Sequence, residues 1–259
     1  MSLIHNIRNR DWRGAVLPAG LLAVWYAVTA LEWVNTTLIV PPEKVVQVAY
    51  KYVTHGNFLE AVAASLTRDL SGFAIGSAAG ILLGIALGLS RWTERVAGPT
   101  FNTLKHISLF AWLPLISTWL GTGDSAKILF IALSAFYPVA INTFEGVRGI
   151  PRTQLEVARV YAFTRWQSVT HLILPAATPQ ILTGLHLALI YAWMATIGAE
   201  FLLVTADPGL GDTVIKGRAA FNVELIVFGM LIIGLVGAFF NHIAARIESR
   251  LLVWRGDKA

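Results

Sequence analysis

Residues 70–90 read LSGFAIGSAAGILLGIALGLS and lie between Asp69 and Arg91. No charge interrupts the run. It is long enough to cross the hydrocarbon of a bilayer as a helix, which takes roughly 20 mostly apolar residues for about 30 Å. Gly72, Gly76, Gly80, Gly84 and Gly88 recur at every fourth position. On a helix that spacing sets them along one slowly drifting stripe, where a second backbone can come close. The segment is therefore expected to be a membrane span with a tight helix–helix seam. Such a seam is also a surface on which one helix could slide along another.

The rest of the chain divides in the same way. Charge-free gaps at about 14–31, 106–123, 128–144 and 225–245, and a stretch at 181–204 interrupted by Glu200 alone, join 70–90, giving six expected spans in one all-α integral membrane domain over residues 1–259. The first gap has no small-residue cleavage site after it, and Glu32-Trp33 reads as an interfacial flank, so a span is expected there and not a signal peptide. Composition agrees. Hydrophobic residues make up 56% of the 259 and charged residues 14%, with 22 Gly besides. A soluble domain is about 45–50% apolar with glycine counted, and about 25% charged. The absence of Cys excludes a disulfide scaffold, thiolate metal sites and thiol catalysis.

The net charge of +5 follows membrane topology. No basic run is interleaved with aromatics, so no nucleic-acid partner is expected. With both termini in the cytoplasm, the inner segments hold Arg8, Arg10, Arg13, Arg91, Arg95, Lys105, Arg148, Arg152, Arg159, Arg165, Arg246, Arg250, Arg255 and Lys258. The outer segments hold Lys44, Lys51, Arg68, Lys127, Lys216 and Arg218. That bias sets the expected orientation.

Polar residues inside the later spans are candidates for lining a solute path: Trp112, Ser117, Tyr137, Asn142, Tyr191, Thr196 and Glu200. The bland alternative is interhelical hydrogen bonding. Glu200 is the one carboxylate well inside a charge-free region, and intramembrane acids usually face the protein interior. It either ties down a neighbouring backbone or meets a solute. Pro114 and Pro138 fall inside spans and free backbone carbonyls there.

Between the fourth and fifth spans lies a cytoplasmic segment, Gly149 to Pro175. Leu155, Ala158, Ala162, Trp166 and Val169 recur at three- and four-residue spacing, with Arg159, Arg165 and Gln167 off that line. The pattern predicts a short amphipathic helix over about 151–166, opened by Pro151 and ended before Pro175. It either anchors at the membrane face or docks a partner.

Here the chain resembles the permease subunits of ABC importers. Their cytoplasmic signature is E-A-A, three residues, G, nine residues, I-x-L-P. Glu156, Val157, Ala158, Ala162, Leu172, Leu174 and Pro175 stand at those positions, with departures at Val157, Ala162 and Leu172. Further runs are similar to the aliphatic sulfonate, taurine, nitrate and bicarbonate permeases, and lean towards the sulfonate ones: Leu87 to Arg95, Ala111 to Leu115, Trp119 to Ile128, Phe136 to Arg148, Leu182 to Leu185, Gly209-Leu-Gly211 and Trp254.

The resemblance implies a five-helix importer core, here spans two to six, preceded by one extra helix in a bacterial cytoplasmic membrane. It implies a second permease copy, most simply a homodimer, and a periplasmic or lipid-anchored substrate-binding protein. It also implies an ATPase dimer that holds ATP and Mg and docks on Glu156, Val157, Ala158, Arg159, Ala162, Arg165 and Trp166, with Leu174 and Pro175 closing the motif. No cofactor is implied for this chain. It has no Gly-Lys pair for a phosphate-binding loop, no G-x-S-x-G and no H-E-x-x-H. Two other readings remain: an intramembrane hydrolase using Ser77 or Ser134 with His186, and an ion-coupled carrier.

Overall fold

A computed structural model describes residues 13–36, 38–205 and 207–251. Arg8, Arg10, Trp254, Arg255 and Lys258 lie outside the described residues, as does the side chain of Arg13. The elements described are helical throughout: α1 Arg13–Ala30, α2 Pro42–His55, α3 Phe58–Leu89, α4 Arg91–Leu104, a 3₁₀ turn Leu109–Trp112, α5 Leu113–Leu120, α6 Asp124–Arg148, α7 Arg152–Val160, α8 Arg165–Gln167, a π turn Ser168–Ile173, α9 Leu174–Leu202, α10 Leu210–Ala219 and α11 Val223–Leu251. Four helical runs are long and apolar enough to cross a membrane: α3, α6, Arg165–Leu202 and α11. Val16–Ala30 and Leu109–Leu120 are shorter apolar helices.

The chain forms two compact units. The smaller holds residues 1–58 and 213–231. In it α1 is apolar on all sides, with Val16, Leu17, Leu21 and Val24 all well exposed, as suits a helix surrounded by lipid. Trp25 Nε1 donates to the Val40 carbonyl (3.0 Å). Tyr52 shares a hydrogen bond with Thr213 (2.9 Å) and meets Phe228 edge-on.

The larger unit, residues 59–212 and 232–259, is organised around α6. The glycine stripe of α3 lies directly on it. Gly72 faces Ile128, Gly76 faces Ala132, Gly80 faces Phe136, Gly84 faces Ala140 and Gly88 faces Phe144. The offset is 56 residues every time, so the two helices run parallel in fixed register. A Cβ on Gly72, Gly80 or Gly84 would come within 3.0 Å of an α6 carbonyl oxygen. On its other side α6 meets α9 antiparallel, Gly146 against Ala177 and Gln180, Gly184 against Pro138 and Asn142. Phe130, Ile131, Ala135 and Val139 of α6 and Ala188, Ala192, Ala195 and Ala199 of α9 form the buried core. In lipid such close van der Waals packing is a main force holding helices together.

Three sequence expectations need correction. The gap at 106–123 is not one long helix. The 3₁₀ turn and α5 together extend about 20 Å, short of the hydrocarbon thickness. Pro114 sits at the start of α5, and Gly121 leaves it with φ +73°. Next, Pro175 does not follow a helix end. The π turn shifts the hydrogen-bond register so that Pro175 falls at the start of α9, where its missing N–H is not needed. Finally, Arg68 and Lys127 are not in outer loops. They are 3% and 2% exposed, inside the larger unit.

Gly76→Ala drives a Cβ onto the Ala132 carbonyl and is expected to destabilise the chain by about 1–3 kcal/mol. Gly20→Ala, with nothing within 4 Å, leaves stability unchanged or slightly higher. Thermal unfolding of the purified chain in detergent checks this; equal midpoints for the two variants would contradict the seam.

Candidate functional site

Three groups of residues in the larger unit carry chemistry. The first is a buried polar cluster at one end of the core. Glu200, 2% exposed, accepts hydrogen bonds from Ser65 Oγ (2.7 Å), Arg68 Nη1 (2.9 Å) and the Gly211 N–H (2.8 Å). Arg68 also donates from Nε to Asp124 (2.6 Å) and from Nη1 to the Pro208 carbonyl (2.9 Å). The Leu210 N–H donates to Ser65 Oγ (2.9 Å). Gly209 and Gly211 lie so close to the Glu200 carboxylate that a Cβ on either would fall within 2.7 Å of its side chain. Beside this, Thr196 Oγ1 donates to Asp69 Oδ1 (2.9 Å), while Asp69 Oδ2 is buried without a partner. Lys127 donates to Thr205 (2.7 Å). The cluster ties α3, α6 and α9 to the segment 203–211. Of the two alternatives for Glu200, the geometry displays the backbone tie. In the sequence Asp69 bounds an apolar gap and Arg68 and Lys127 count as outer-segment charges, and nothing in their spacing announces burial.

The second group surrounds a pocket of about 340 Å³ lined by Lys105, Leu109, Phe110, Ser134, Tyr137 and Tyr191, among others. Of the candidate path residues, the structure brings together Tyr137 and Tyr191 here. Tyr137 also packs against Phe101 and Phe136. The remaining candidates lie elsewhere. Thr196 and Glu200 are enclosed in the polar cluster. Ser117 Oγ donates to the Pro114 carbonyl (3.0 Å) and Asn142 Nδ2 to the Pro138 carbonyl (2.8 Å), each satisfying its own helix. Trp112 packs on the core with its Nε1 buried and unpartnered. Lys105, counted in the sequence with the inner loop, belongs to the pocket.

The third group is the segment after α6. The helix expected over 151–166 is two helices. Helix α7 ends at Val160, and the Phe163 N–H bonds back to the Ala158 carbonyl (3.0 Å) and the Ala162 N–H to the Arg159 carbonyl (3.0 Å). That paired pattern needs a left-handed residue at its centre, and Ala162 has φ +52°. The glycine of the family signature would fit there at no steric cost, which gives its place in the motif a physical reason. Thr164 and Gln167 then form a reciprocal capping box that starts α8, so Arg165 and Trp166 belong to the second helix. Ala158 is buried. Glu156 and Arg159 are exposed, and Glu156 has no ion pair among the described residues. Val157, Val160, Tyr161 and Trp166 expose 56%, 83%, 73% and 75% of their surface. This is an apolar face with a free carboxylate beside it.

His186, the candidate base of a hydrolase, has both ring nitrogens engaged, with Glu248 (3.0 Å) and Asn241 (2.9 Å). Neither Ser77 nor Ser134 is among its partners.

Residues 76–252 match the family model described as binding-protein-dependent transport system inner membrane component. A Bacillus subtilis (strain 168) protein that bears the name of an aliphatic sulfonates transport permease, SsuC, is 34% identical over 245 residues, covering 95% of this chain and 88% of the relative. The taurine transport system permease protein TauC of Escherichia coli (strain K12) is 31% identical, covering 92% and 88%. Among solved structures, an amino acid ABC transporter superposes with a TM-score of 0.63 over 80% of this chain and 97% of that one, at 18% identity. That last likeness is one of fold.

Arg68→Gln leaves the buried Glu200 carboxylate without its ion pair and is expected to destabilise the chain by about 3–5 kcal/mol. Adding Glu200→Gln restores part of the loss, so a double-mutant cycle on unfolding midpoints yields a coupling well away from zero. Strictly additive effects would contradict the pair. Ala162→Gly relieves the left-handed turn and is expected to raise stability by about 1 kcal/mol, whereas Ala162→Val lowers it. A rise with valine would contradict the turn geometry.

Proposed function

The chain belongs to the family of binding-protein-dependent inner membrane transport components and is a permease subunit of an ABC importer, not itself an enzyme; on that footing we propose that it moves a small organic anion, an aliphatic sulfonate first of all, across a bacterial inner membrane at the expense of ATP. Taurine, nitrate or nitrite, and bicarbonate are the alternative solutes. The order follows the names of the relatives.

The observation that carries the ATP-driven reading is the exposed surface of α7 and α8. Glu156 lies unpaired beside Val157, Val160, Tyr161 and Trp166. An apolar patch set among the exposed Arg152, Thr153, Gln154 and Arg159 marks an interaction site. The occupant we assign is a cytoplasmic ATPase dimer, which holds the ATP and Mg; this chain offers the docking surface. Ala158 roots α7 in the protein, while Val147, Ile150, Ile173 and Ala177 make a second apolar cluster beneath the segment. A push on α7 therefore reaches the ends of α6 and α9 together.

In this reading six segments cross the membrane: α1, α3, the α4–α5 segment, α6, α9 and α11. Both termini lie in the cytoplasm. A second copy of the chain completes the path, and a periplasmic or lipid-anchored binding protein loads it. Alternating access follows from two rigid contacts. The parallel α3–α6 seam moves as one body, and the polar cluster around Glu200 keeps the end of α9 attached to it.

Glu156→Arg is expected to abolish ATP-dependent uptake in vesicles that contain the permease, its ATPase and its binding protein, with the variant still inserted in the membrane. Co-purification of the ATPase falls in parallel. Normal recruitment and uptake by that variant would contradict the docking assignment.

A further inference from the structure

We infer that Lys105, with the hydroxyls of Ser134, Tyr137 and Tyr191, forms an oxyanion site within this chain, shaped for an organic anion with an uncharged apolar tail. It rests on the reading of the chain as an anion permease and adds that the permease itself, besides its binding protein, selects the solute.

The charge is the starting point. Lys105 follows α4 directly and is half-buried. Its neighbours across the pocket are mid-helix residues. Tyr137 lies 13 residues after Asp124 and 11 before Arg148 in α6, so about 20 Å and 16 Å from the two ends. An ionisable group at that depth in a crossing helix bundle is costly and usually has a role or a partner. The other cations buried in this unit have partners: Arg68 has Asp124 and Glu200, and Lys127 has Thr205. The Lys105 ammonium has no hydrogen bond or ion pair among the described residues.

The surroundings narrow the ligand. No carboxylate lines the 340 Å³ pocket, whose size falls within the range of small-molecule sites, about 300–1,000 Å³. The hydroxyls of Ser134, Tyr137 and Tyr191 have no hydrogen-bond partner among the described residues, so three O–H donors accompany the ammonium. That donor set matches the oxygens of a sulfonate. The remaining wall is apolar, including Ile107, Leu109, Phe110 and Met194, and suits an alkyl tail. Nitrate and bicarbonate have no tail to bury. Taurine carries an ammonium at the far end of its chain, which would lie against the apolar wall with no carboxylate to receive it. Lys105 also lines a second pocket of about 440 Å³ together with Glu94, Glu145 and Arg148. Its side chain thus borders one compartment with only positive charge and one of mixed charge.

The chain has no cysteine, which permits a direct test. Met194→Cys places one thiol in the pocket wall of the assembled permease–ATPase complex, and its reaction with an uncharged maleimide is timed. Butane-1-sulfonate at four times its dissociation constant is expected to slow labelling about fivefold. The protection disappears in M194C/K105Q, persists in M194C/K105R and weakens in M194C/Y191F, where the half-exposed tyrosine can lose its hydroxyl without harm to folding. Taurine, nitrate and bicarbonate at equal concentration protect less. Equal protection with and without the Lys105 charge, no protection at all, or full protection in M194C/Y191F would overturn the site; equal protection by all four anions would overturn its selectivity. Uptake by the wild-type transporter separates the two readings. Protection without uptake of any of the four anions contradicts the proposed function and leaves the site standing. Undiminished sulfonate uptake by the K105Q transporter contradicts the site and leaves the function standing.

Discussion

Helix α6 is held between two stripes of small residues, and most of the larger unit follows from that constraint. The glycines of α3 bring one backbone into contact with it, and Ala188, Ala192, Ala195 and Ala199 of α9 supply the facing core on another side. Lipid provides little hydrophobic drive for helices to associate, so closeness itself must supply the attraction. The constant 56-residue offset makes α3 and α6 parallel. Parallel neighbours require the intervening chain to return across the full thickness. Residues 91–120 make that return in pieces: α4, a 3₁₀ turn and α5. The break between α4 and the 3₁₀ turn is where Lys105 meets the middle of α6.

Seen this way, the two ends of the core have different tasks. At one end Glu200 gathers Ser65, Arg68 and the Gly211 N–H, and through Arg68 reaches Asp124. Buried ion pairs contribute less to net stability than to fixing one arrangement, because desolvation offsets most of their attraction. Here the arrangement fixed is the joint between α3, the start of α6 and the end of α9. At the other end the chain is thinner and more exposed. A nine-residue helix with an unpaired carboxylate and bare apolar side chains is rooted mainly through Ala158.

How much of this was legible in the sequence depends on which physical signal carries it. The stripe at 72–88 was plain, because four-residue spacing of glycine has few other uses in an apolar helix; its partner helix was not, because register with α6 is a tertiary fact. Charge-free gaps overlap α1, α3, α6 and α11, but miss the first twelve residues of α3 and overstate the third span, since a gap bounded by Lys105 and Asp124 says nothing of the 3₁₀ turn or of Gly121 inside it. The same rule leaves Arg68 and Lys127 outside the spans, whereas both are buried in helices. Charge predicts exposure only when no partner or pocket compensates burial, and partners such as Glu200 lie more than a hundred residues away. In the segment after α6, periodicity joined two helices into one across Ala162, because a left-handed alanine leaves no trace in hydrophobic spacing. The family signature marked that position correctly, and the hydrogen bonds around it explain why.

In the proposed function this chain is the moving membrane core of an importer and takes its energy from a separate protein docked on α7 and α8. Uptake of radiolabelled butane-1-sulfonate into vesicles, with the chain alone and with its ATPase and binding protein added one at a time, tests it most directly. Accumulation that needs all three proteins and internal-side ATP is the predicted result. Accumulation by the chain alone, driven by an ion gradient, would contradict it.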